Sequence, residues 1–289
     1  MAIGATGSED AWQRVAYVSV ENTSLVKLQY ESLTETIDID MGERDLDVIN
    51  LLNLGQIPKH GATGICTLTF EGYPTEAGTA DTSLGTASGG IATGYFDVFA
   101  SVQNIDSASE LDIDMSNTLT RYRVSVLWTN QDVLSDTAAS ASDAGSGSVT
   151  VDGTPFTIDT YNGAMLKLTS GTADGNYYMI TDTTTSAFTT TTGDTPSSDG
   201  VADNDTLEVY PTGSSALLAA SKGLRFVIAD CICTSCKTSF TDGIMKQTLV
   251  FKGRVFNSAG AARVKMESCT ASEALIALGN YTAGTTPWA

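Results

Sequence analysis

The chain has 289 residues, of which 42% are hydrophobic and only 17% charged, and its formal net charge at pH 7 is −19. Such an acidic surface repels nucleic acid and anionic lipid at long range, which disfavours a nucleic-acid-binding or membrane-surface protein. Two explanations of the charge stay open. It could provide solubility or suit a salty habitat, or it could line a wall that nucleic acid passes without binding. The length suffices for one large or two ordinary domains.

The chain carries no targeting or membrane signal that we recognise. Its start, "MAIGATGSEDAWQRVAYV", lacks the basic and apolar regions of a secretory signal. No window approaches the roughly 20 apolar residues of a spanning helix. We therefore expect synthesis in the cytoplasm and no membrane-spanning segment.

Alternating apolar residues predict strands near residues 15–20, 37–40, 65–74 and 121–130. In the last of these, Tyr122, Val124, Val126 and Trp128 share one face. Leucines and isoleucines at three-residue spacing in residues 43–54 predict a short helix or an irregular turn. Residues 75–94, which are mostly Gly, Ser, Thr and Ala, predict a loop, and residues 95–102 begin a strand or short helix.

The middle of the chain changes character. Residues 136–148, rich in Ala, Ser and Gly, predict a linker. Residues 138–213 then contain ten acidic residues and one basic residue, a local net charge of −9. Short strands alternate with turns across this block. We therefore predict a small acidic β-module, residues 138–213, inserted between residues 1–137 and 214–289 of a larger β domain.

The C-terminal part predicts two long strands joined by the turn "TDG", and then a short helix capped by Thr270 or Ser272 with Ala274, Leu275 and Leu278 on its apolar face. The predicted fold class is mainly β: an antiparallel sandwich or partial barrel with one or two short helices and an inserted β-module.

Three cysteines fall within six residues: Cys231, Cys233 and Cys236. The first two share one face of a strand. With Cys269 or Cys66 they could supply four thiolates for a metal, or form a disulfide after assembly. Structural zinc sites usually use paired C-x2-C or Cys/His sets at turns, whereas this spacing is irregular and its flanks are strand. We favour buried core thiols and no metal site.

Other chemistry is weakly indicated. The single histidine, His60, cannot form a His-rich metal site. Acidic pairs at positions 38 and 40, 112 and 114, and 203 and 205 could be glycosidase acids or calcium ligands, but no calcium-loop motif surrounds them. A solvated acidic face is the favoured interpretation. Phosphate-binding glycine loops, a nucleophile elbow and basic-aromatic interleaving are absent, so we expect neither an enzyme nor a cofactor.

Three segments in order resemble the tail tube proteins of long-tailed viruses of bacteria and archaea. They are residues 35–74, a strand, a long loop and a strand ending in "GYP"; residues 94–130, with the strand "YRVSVLWT"; and residues 226–264, where the turn "SFTDG" leads into "KQTLVFK". The resemblance covers most of the chain outside residues 138–213. It rests on the order of these segments, because each motif alone is weak.

The resemblance implies a β-sandwich or partial barrel with a flanking helix, of which six copies close a ring. Rings stack into a tube through which viral DNA passes without specific binding, and residues 42–61 contact the next ring. Implied partners are further copies, the tape measure, the tail terminator and the baseplate, all within the virion. The family offers no catalytic residues. The candidates for the channel wall are Asp38, Asp40, Asp112 and Asp114.

The inserted module departs from the simplest members of this family, and we expect it outside the tube, where added volume is tolerated. Its acidity suggests a halophilic archaeal host. An alternative function is a virion decoration or receptor-binding module, which exposed aromatics among Tyr161, Tyr177, Tyr178 and Tyr210 would favour. A capsid or head–tail connector subunit is a further alternative, and an enzyme is the least favoured.

Overall fold

The architecture is that of a computed structural model, which describes residues 15–22, 27–30, 33–42, 46–51, 55–60, 64–73, 90–92, 104–107, 110–112, 121–129, 133–153, 156–213, 215–216, 223–256 and 262–269. The strands in these ranges are β1 (Val15–Asn22), β2 (Lys27–Tyr30), β3 (Leu33–Asp40), β4 (Leu46–Leu51), β5 (Gly55–His60), β6 (Ile65–Tyr73), β7 (Gly90–Ala92), β8 (Asn104–Ser107), β9 (Glu110–Asp112), β10 (Tyr122–Thr129), β11 (Leu134–Ser142), β12 (Ser146–Val151), β13 (Met165–Leu168), β14 (Tyr177–Thr183), β15 (Ala187–Thr192), β16 (Thr206–Tyr210), β17 (Gly223–Thr241), β18 (Ile244–Arg254) and β19 (Val264–Cys269).

Nine strands form one open sheet, curled into a half-barrel. Eight of them follow the neighbour order β3-β6-β18-β17-β10-β1-β2-β7, and the ninth, β19, lies off this path and pairs with β17. All these neighbours are antiparallel except β2 and β7. The long strand β17 pairs through its first half with β10 and β19, and through its second half with β18. The predicted fold class, mainly antiparallel β with a partial barrel, is confirmed. None of the described residues belongs to a helix that could span a membrane.

The core of the half-barrel forms from residues that alternate along its strands. On β6, Cys66, Leu68 and Phe70 are buried while the residues between them are partly exposed. Phe251 on β18 stacks on Phe70 with ring centroids 6.0 Å apart and meets the edge of Tyr122 on β10. The predicted common face of β10 is confirmed, because its four apolar residues all belong to this core or pack against it.

Between β10 and β17 the chain forms a closed six-stranded barrel, in the order β11-β12-β15-β14-β13-β16. Its core is separate from that of the half-barrel. Three rings, Phe156, Tyr161 and Phe188, pack on one another there with centroids 4.8 to 5.8 Å apart. Its strands run from Leu134 to Tyr210, so the barrel occupies the block predicted as a β-module.

The predicted linker at residues 136–148 is wrong, because these residues form most of β11, a short turn and the first half of β12. Their small side chains serve close packing rather than flexibility. Ala138 is fully buried in the barrel core. A Cβ on Gly147 would lie 2.5 Å from Cδ of Pro196 and 2.7 Å from Oγ1 of Thr190, so only glycine fits there.

The helix or irregular turn predicted for residues 43–54 is also wrong for residues 46–51, the part of this segment that the structure describes. Strand β4 pairs with β5 in a two-stranded sheet, from Leu46 opposite His60 to Leu51 opposite Gly55. Apolar residues three apart fit a helix, but the neighbouring segment supplies a strand that takes up the backbone hydrogen bonds. The predicted loop at residues 75–94 includes strand β7 at its end. The predicted C-terminal helix and residues 95–102 lie outside the described residues.

The segment that follows the barrel, residues 211–216, ties the barrel to the sheet. The N–H of Gly213 donates to Oγ of Ser19 on β1 at 2.8 Å, and a Cβ on Gly213 would lie 2.3 Å from the carbonyl oxygen of Ser125. Two residues on, the N–H of Ala216 donates to the carbonyl of Asn162 in the barrel at 2.7 Å. One short segment therefore contacts both bodies.

A buried ion pair next to Ser215 also holds residues 211–216 in place. Arg225 on β17 is fully buried and donates to the carbonyl of Ser215. Its Nη1 lies 3.5 Å from Oε1 of Glu267 on β19, which also pairs with Lys265. Because a charge buried without a partner is costly, this arrangement fixes β19 and the barrel connection relative to β17.

Candidate assembly surfaces

The cysteines that the sequence singled out lie in the core of the half-barrel. Cys231 and Cys233 on β17 share that core with Cys66 on β6, and Cys236 packs against it. All four are free thiols. The side chain of Cys269, at the end of β19, lies outside the described residues.

The surroundings of these thiols keep them protonated. Burial, aided by the charge of Asp40, raises the pKa of Cys66 to about 11, and burial raises the pKa of Cys233 to about 11. Burial raises the pKa of Cys231 well above its ordinary value. Neutral thiols are poor ligands and poor nucleophiles. The described part of the chain contains no group of three or more Cys, His, Asp or Glu that could hold a metal ion.

The candidate channel residues fall in different places. Asp38 and Asp40 are exposed on β3, where they alternate with Ile37 and Ile39, which pack against the core. Oδ1 of Asp40 accepts the N–H of Gly42 at 2.8 Å. These two carboxylates therefore lie on the outer face of β3, the strand at one end of the neighbour order of the sheet.

The described residue of the second candidate pair belongs to a different sheet from the first pair. Asp112 ends β9, opposite Asn104 in the small two-stranded sheet of β8 and β9. Asp114 lies outside the described residues. The third acidic pair is split in the barrel, because Asp203 is exposed whereas Asp205 is buried and accepts the N–H of Ala202 at 2.8 Å. Asp203 and Asp205 therefore do not share one face of the barrel surface.

A pocket of about 290 Å³ opens on the barrel between the start of β14 and residues 193–199. Its polar atoms bond mainly to one another. The hydroxyl of Tyr178 donates to Oδ2 of Asp199 at 2.7 Å, and Oγ1 of Thr195 donates to Oδ1 at 3.3 Å. Asp194 accepts the N–H of Thr191 at 3.0 Å. These bonds tie the polar side chains of the pocket wall to one another and to the barrel backbone.

The tyrosines proposed for recognition do not form one exposed cluster. Tyr161 and Tyr178 are buried in the barrel core. Burial and the neighbouring Asp199 raise the pKa of Tyr178. Tyr177 and Tyr210 are only half-buried, and the Nζ of Lys167 lies 5.4 Å from the ring centroid of Tyr177.

A surface that we did not predict lies at the turn between β17 and β18. Asp242 and Gly243 have φ of 55° and 78°, as a tight two-residue hairpin turn requires. Phe240, Ile244 and Met245 beside this turn are 70%, 56% and 39% exposed. We call these three residues the hairpin tip. The signal in the sequence was the placement of large apolar residues on both sides of a turn.

A second exposed apolar pair lies where β3 ends and β6 begins. Met41 is 50% exposed and Ile65 is 52% exposed. Gly42, which follows Met41, packs closely on the start of β6, since a Cβ there would lie 2.7 Å from the carbonyl oxygen of Ile65. We call Met41 and Ile65 the apolar end of the sheet.

No protein-family model matches the chain, and a search of the curated proteins finds no significant match. The likeness to tail tube proteins therefore rests on the order of the sequence segments alone.

Proposed function

We propose that the chain is a virion structural protein, the subunit of a viral tail tube, in which hexameric rings stack around an acidic channel for the genome. The observation that carries the proposal is the open half-barrel. Strand β3 is eight residues long, and among the described strands only β6 pairs with it, along one edge. Within the described part of the chain no strand pairs with the other edge, whose N–H and C=O groups are a template for pairing with another chain.

Ring closure would supply the missing strand. When copies close a ring, each free edge meets a neighbour and no edge is left to aggregate. The alternation of β3 suits such a joint, because Ile37 and Ile39 must stay inside while Asp38 and Asp40 stay outside. A slip of one residue would bury both aspartates, so the pattern specifies the register of pairing.

The acidic surface suits a conduit for DNA. Asp38 and Asp40 remain our first candidates for the channel wall, and Asp112 and Asp114 our second. Carboxylates facing the channel would repel phosphate, so that DNA slides without binding. Tape measure, terminator and baseplate proteins would contact the tube, and no catalytic activity or cofactor belongs to this function.

Sedimentation velocity of the purified full chain tests self-assembly. We expect large discrete species that grow with protein concentration and are favoured by high salt, which screens repulsion between acidic copies. A single species of 30.2 kDa at every concentration and salt level would overturn the proposal. That result would favour decoration or receptor binding by the barrel.

A further inference from the structure

The pocket of the barrel, between the start of β14 and residues 193–199, combines an aromatic ring with a rim of hydrogen-bonding groups. Tyr177 is half-buried in its wall, and Asn176, Thr195 and Asp199 are exposed at its rim. Its volume of about 290 Å³ lies close to the lower end of the range for small-molecule sites. A Cβ on Gly193, which also lines the pocket, would meet no atom within 4 Å, so the mouth is open at that point. The pocket therefore suits a small molecule rather than a folded partner.

The segment that carries Asp199 is held in place before any ligand binds. The N–H of Asp199 donates to the carbonyl of Thr195 at 2.8 Å, which closes one turn of the backbone. Asp143, in the turn between β11 and β12, accepts the N–H groups of Ser197 and Ser198 at 2.7 and 3.0 Å. Because this rim is already ordered, a ligand does not have to order it on binding.

The rim keeps hydrogen-bonding capacity that the protein does not use. Each carboxylate oxygen of Asp199 accepts one hydroxyl, Oδ2 from Tyr178 and Oδ1 from Thr195, and such an oxygen can accept two bonds. The Nδ2 of Asn176 reaches the hydroxyl of Tyr178 only at 3.5 Å, which is long for a hydrogen bond. The pocket thus offers several acceptors and an amide to one ligand, which suits a molecule with several hydroxyl groups.

Charge and aromatic contacts favour a neutral ligand. The carboxylates of Asp194 and Asp199, in a chain of net charge −19, repel anions. The Nζ of Lys167 lies 5.4 Å from the ring centroid of Tyr177, within the range of a cation–π contact. An organic cation would stack on the same ring and would be repelled by this ammonium group. No third acidic, histidine or cysteine side chain of the described residues joins the two aspartates in a metal site.

We propose that the pocket binds a neutral saccharide. The C–H groups of a sugar ring would pack on the exposed part of Tyr177, because tyrosine presents a large apolar surface beside its polar tip. The hydroxyl groups of the sugar would donate to the carboxylate of Asp199 and exchange hydrogen bonds with the amide of Asn176. This inference goes beyond the proposed function, since it gives the barrel a binding site that does not depend on assembly.

Isothermal titration calorimetry of the full chain tests the site. The probes are neutral trisaccharides of glucose, galactose, mannose and N-acetylglucosamine, and we expect at least one of them to bind with millimolar affinity at one site per chain. Tyr177→Ala and Asp199→Asn should each weaken that binding about tenfold or more. The matched controls are Tyr210→Ala and Asp203→Asn, which change another half-buried tyrosine and another exposed aspartate of the barrel outside the pocket and should bind like the unmodified chain.

Further arms separate the possible results. Melting curves of each variant check that it is folded, and Asp143→Asn should weaken sugar binding because it releases the anchor of residues 195–199. Tighter binding of a trisaccharide than of its monosaccharide would indicate a saccharide chain as the ligand, and equal binding would indicate a free sugar. No binding of any of the four sugars, an equal loss in the control variants, or binding of spermidine in place of sugar would overturn the inference. An unassembled chain that binds sugar would overturn only the proposed function.

Discussion

Cys233 and Cys236 face the same core although they are three residues apart, because the register of β17 against β18 shifts between Cys233 and Ser235. In a regular strand, residues three apart lie on opposite faces. The bulge inserts one residue and returns the third cysteine to the core. The spacing C-x-C-x2-C in this strand is thereby accounted for by packing.

Thiol labelling tests this account of the cysteines. At pH 8 we expect Cys66, Cys231 and Cys233 to react at least tenfold more slowly with iodoacetamide in the folded protein than in denaturant, because burial and a raised pKa keep each of them a protected thiol. Cys236, which is only partly buried, should react faster than those three. Mass spectrometry would identify each labelled site. Rapid labelling of Cys231, or zinc in a metal assay, would contradict the account.

The buried pair of Arg225 and Glu267 should be strongly coupled. We expect Arg225→Met to lower the free energy of unfolding by about 3 to 5 kcal/mol, because the carboxylate of Glu267 stays buried and loses one of its two cationic partners. The variant Arg225→Met with Glu267→Met should be less destabilised than Arg225→Met alone. Denaturant unfolding of the four proteins measures the coupling, and strictly additive effects would show that the two side chains act independently.

Asp143 should make the barrel sensitive to acid. Bonds from Oγ of Ser198 and from the N–H groups of Ser197 and Ser198 lower the pKa of this carboxyl. Its contribution to stability is therefore present above the unfolded pKa of about 3.9 and is lost as the pH falls through the lower, folded pKa.

We accordingly expect Asp143→Asn to lower the melting temperature at pH 7 and to differ less from the unmodified chain at pH 3. Exposed Asp152, replaced by Asn, is the control and should have little effect at either pH. An equal loss from Asp143→Asn at both pH values would show that its charge has no role.

Replacing the proposed channel-wall aspartates with lysines should make the assembled tube retain DNA. In assembled tubes, Asp38→Lys with Asp40→Lys is expected to bind duplex DNA with a steep dependence on salt, while the unmodified tube is expected to bind none. Asp152→Lys with Asp203→Lys, on the exposed surface of the barrel, is the matched control. Equal DNA retention by both double variants would contradict a channel position for Asp38 and Asp40.

The strands of the half-barrel were predictable where one face meets the core. Cys66, Leu68 and Phe70 alternate with polar residues, and Ile37 and Ile39 alternate with aspartates, so period-two patterning identified both strands. Periodicity failed for Leu46 and Ile49. Their apolar spacing fits either a helix or a strand, and only the pairing of β4 with β5 decides in favour of the strand.

In the barrel, amino-acid composition misled the prediction from sequence. Ala138 and Gly147 belong to a composition typical of linkers, yet they pack in the interior of a barrel, because small residues also allow close approach of strands. The hairpin tip was missed for the opposite reason. Phe240 and Met245 continue the alternation of core-facing residues along their strands. Alternation alone does not show at which residue the rest of the subunit stops covering that face of the sheet.

Electron microscopy of the purified full chain, in high and low salt, tests the central claim most directly. We expect hollow rings or tubes, with a symmetry that the images report, and a loss of tube stability at low salt as repulsion between acidic copies grows. Compact monomers in every condition would contradict the account and leave the barrel and its pocket as the part to test for ligands.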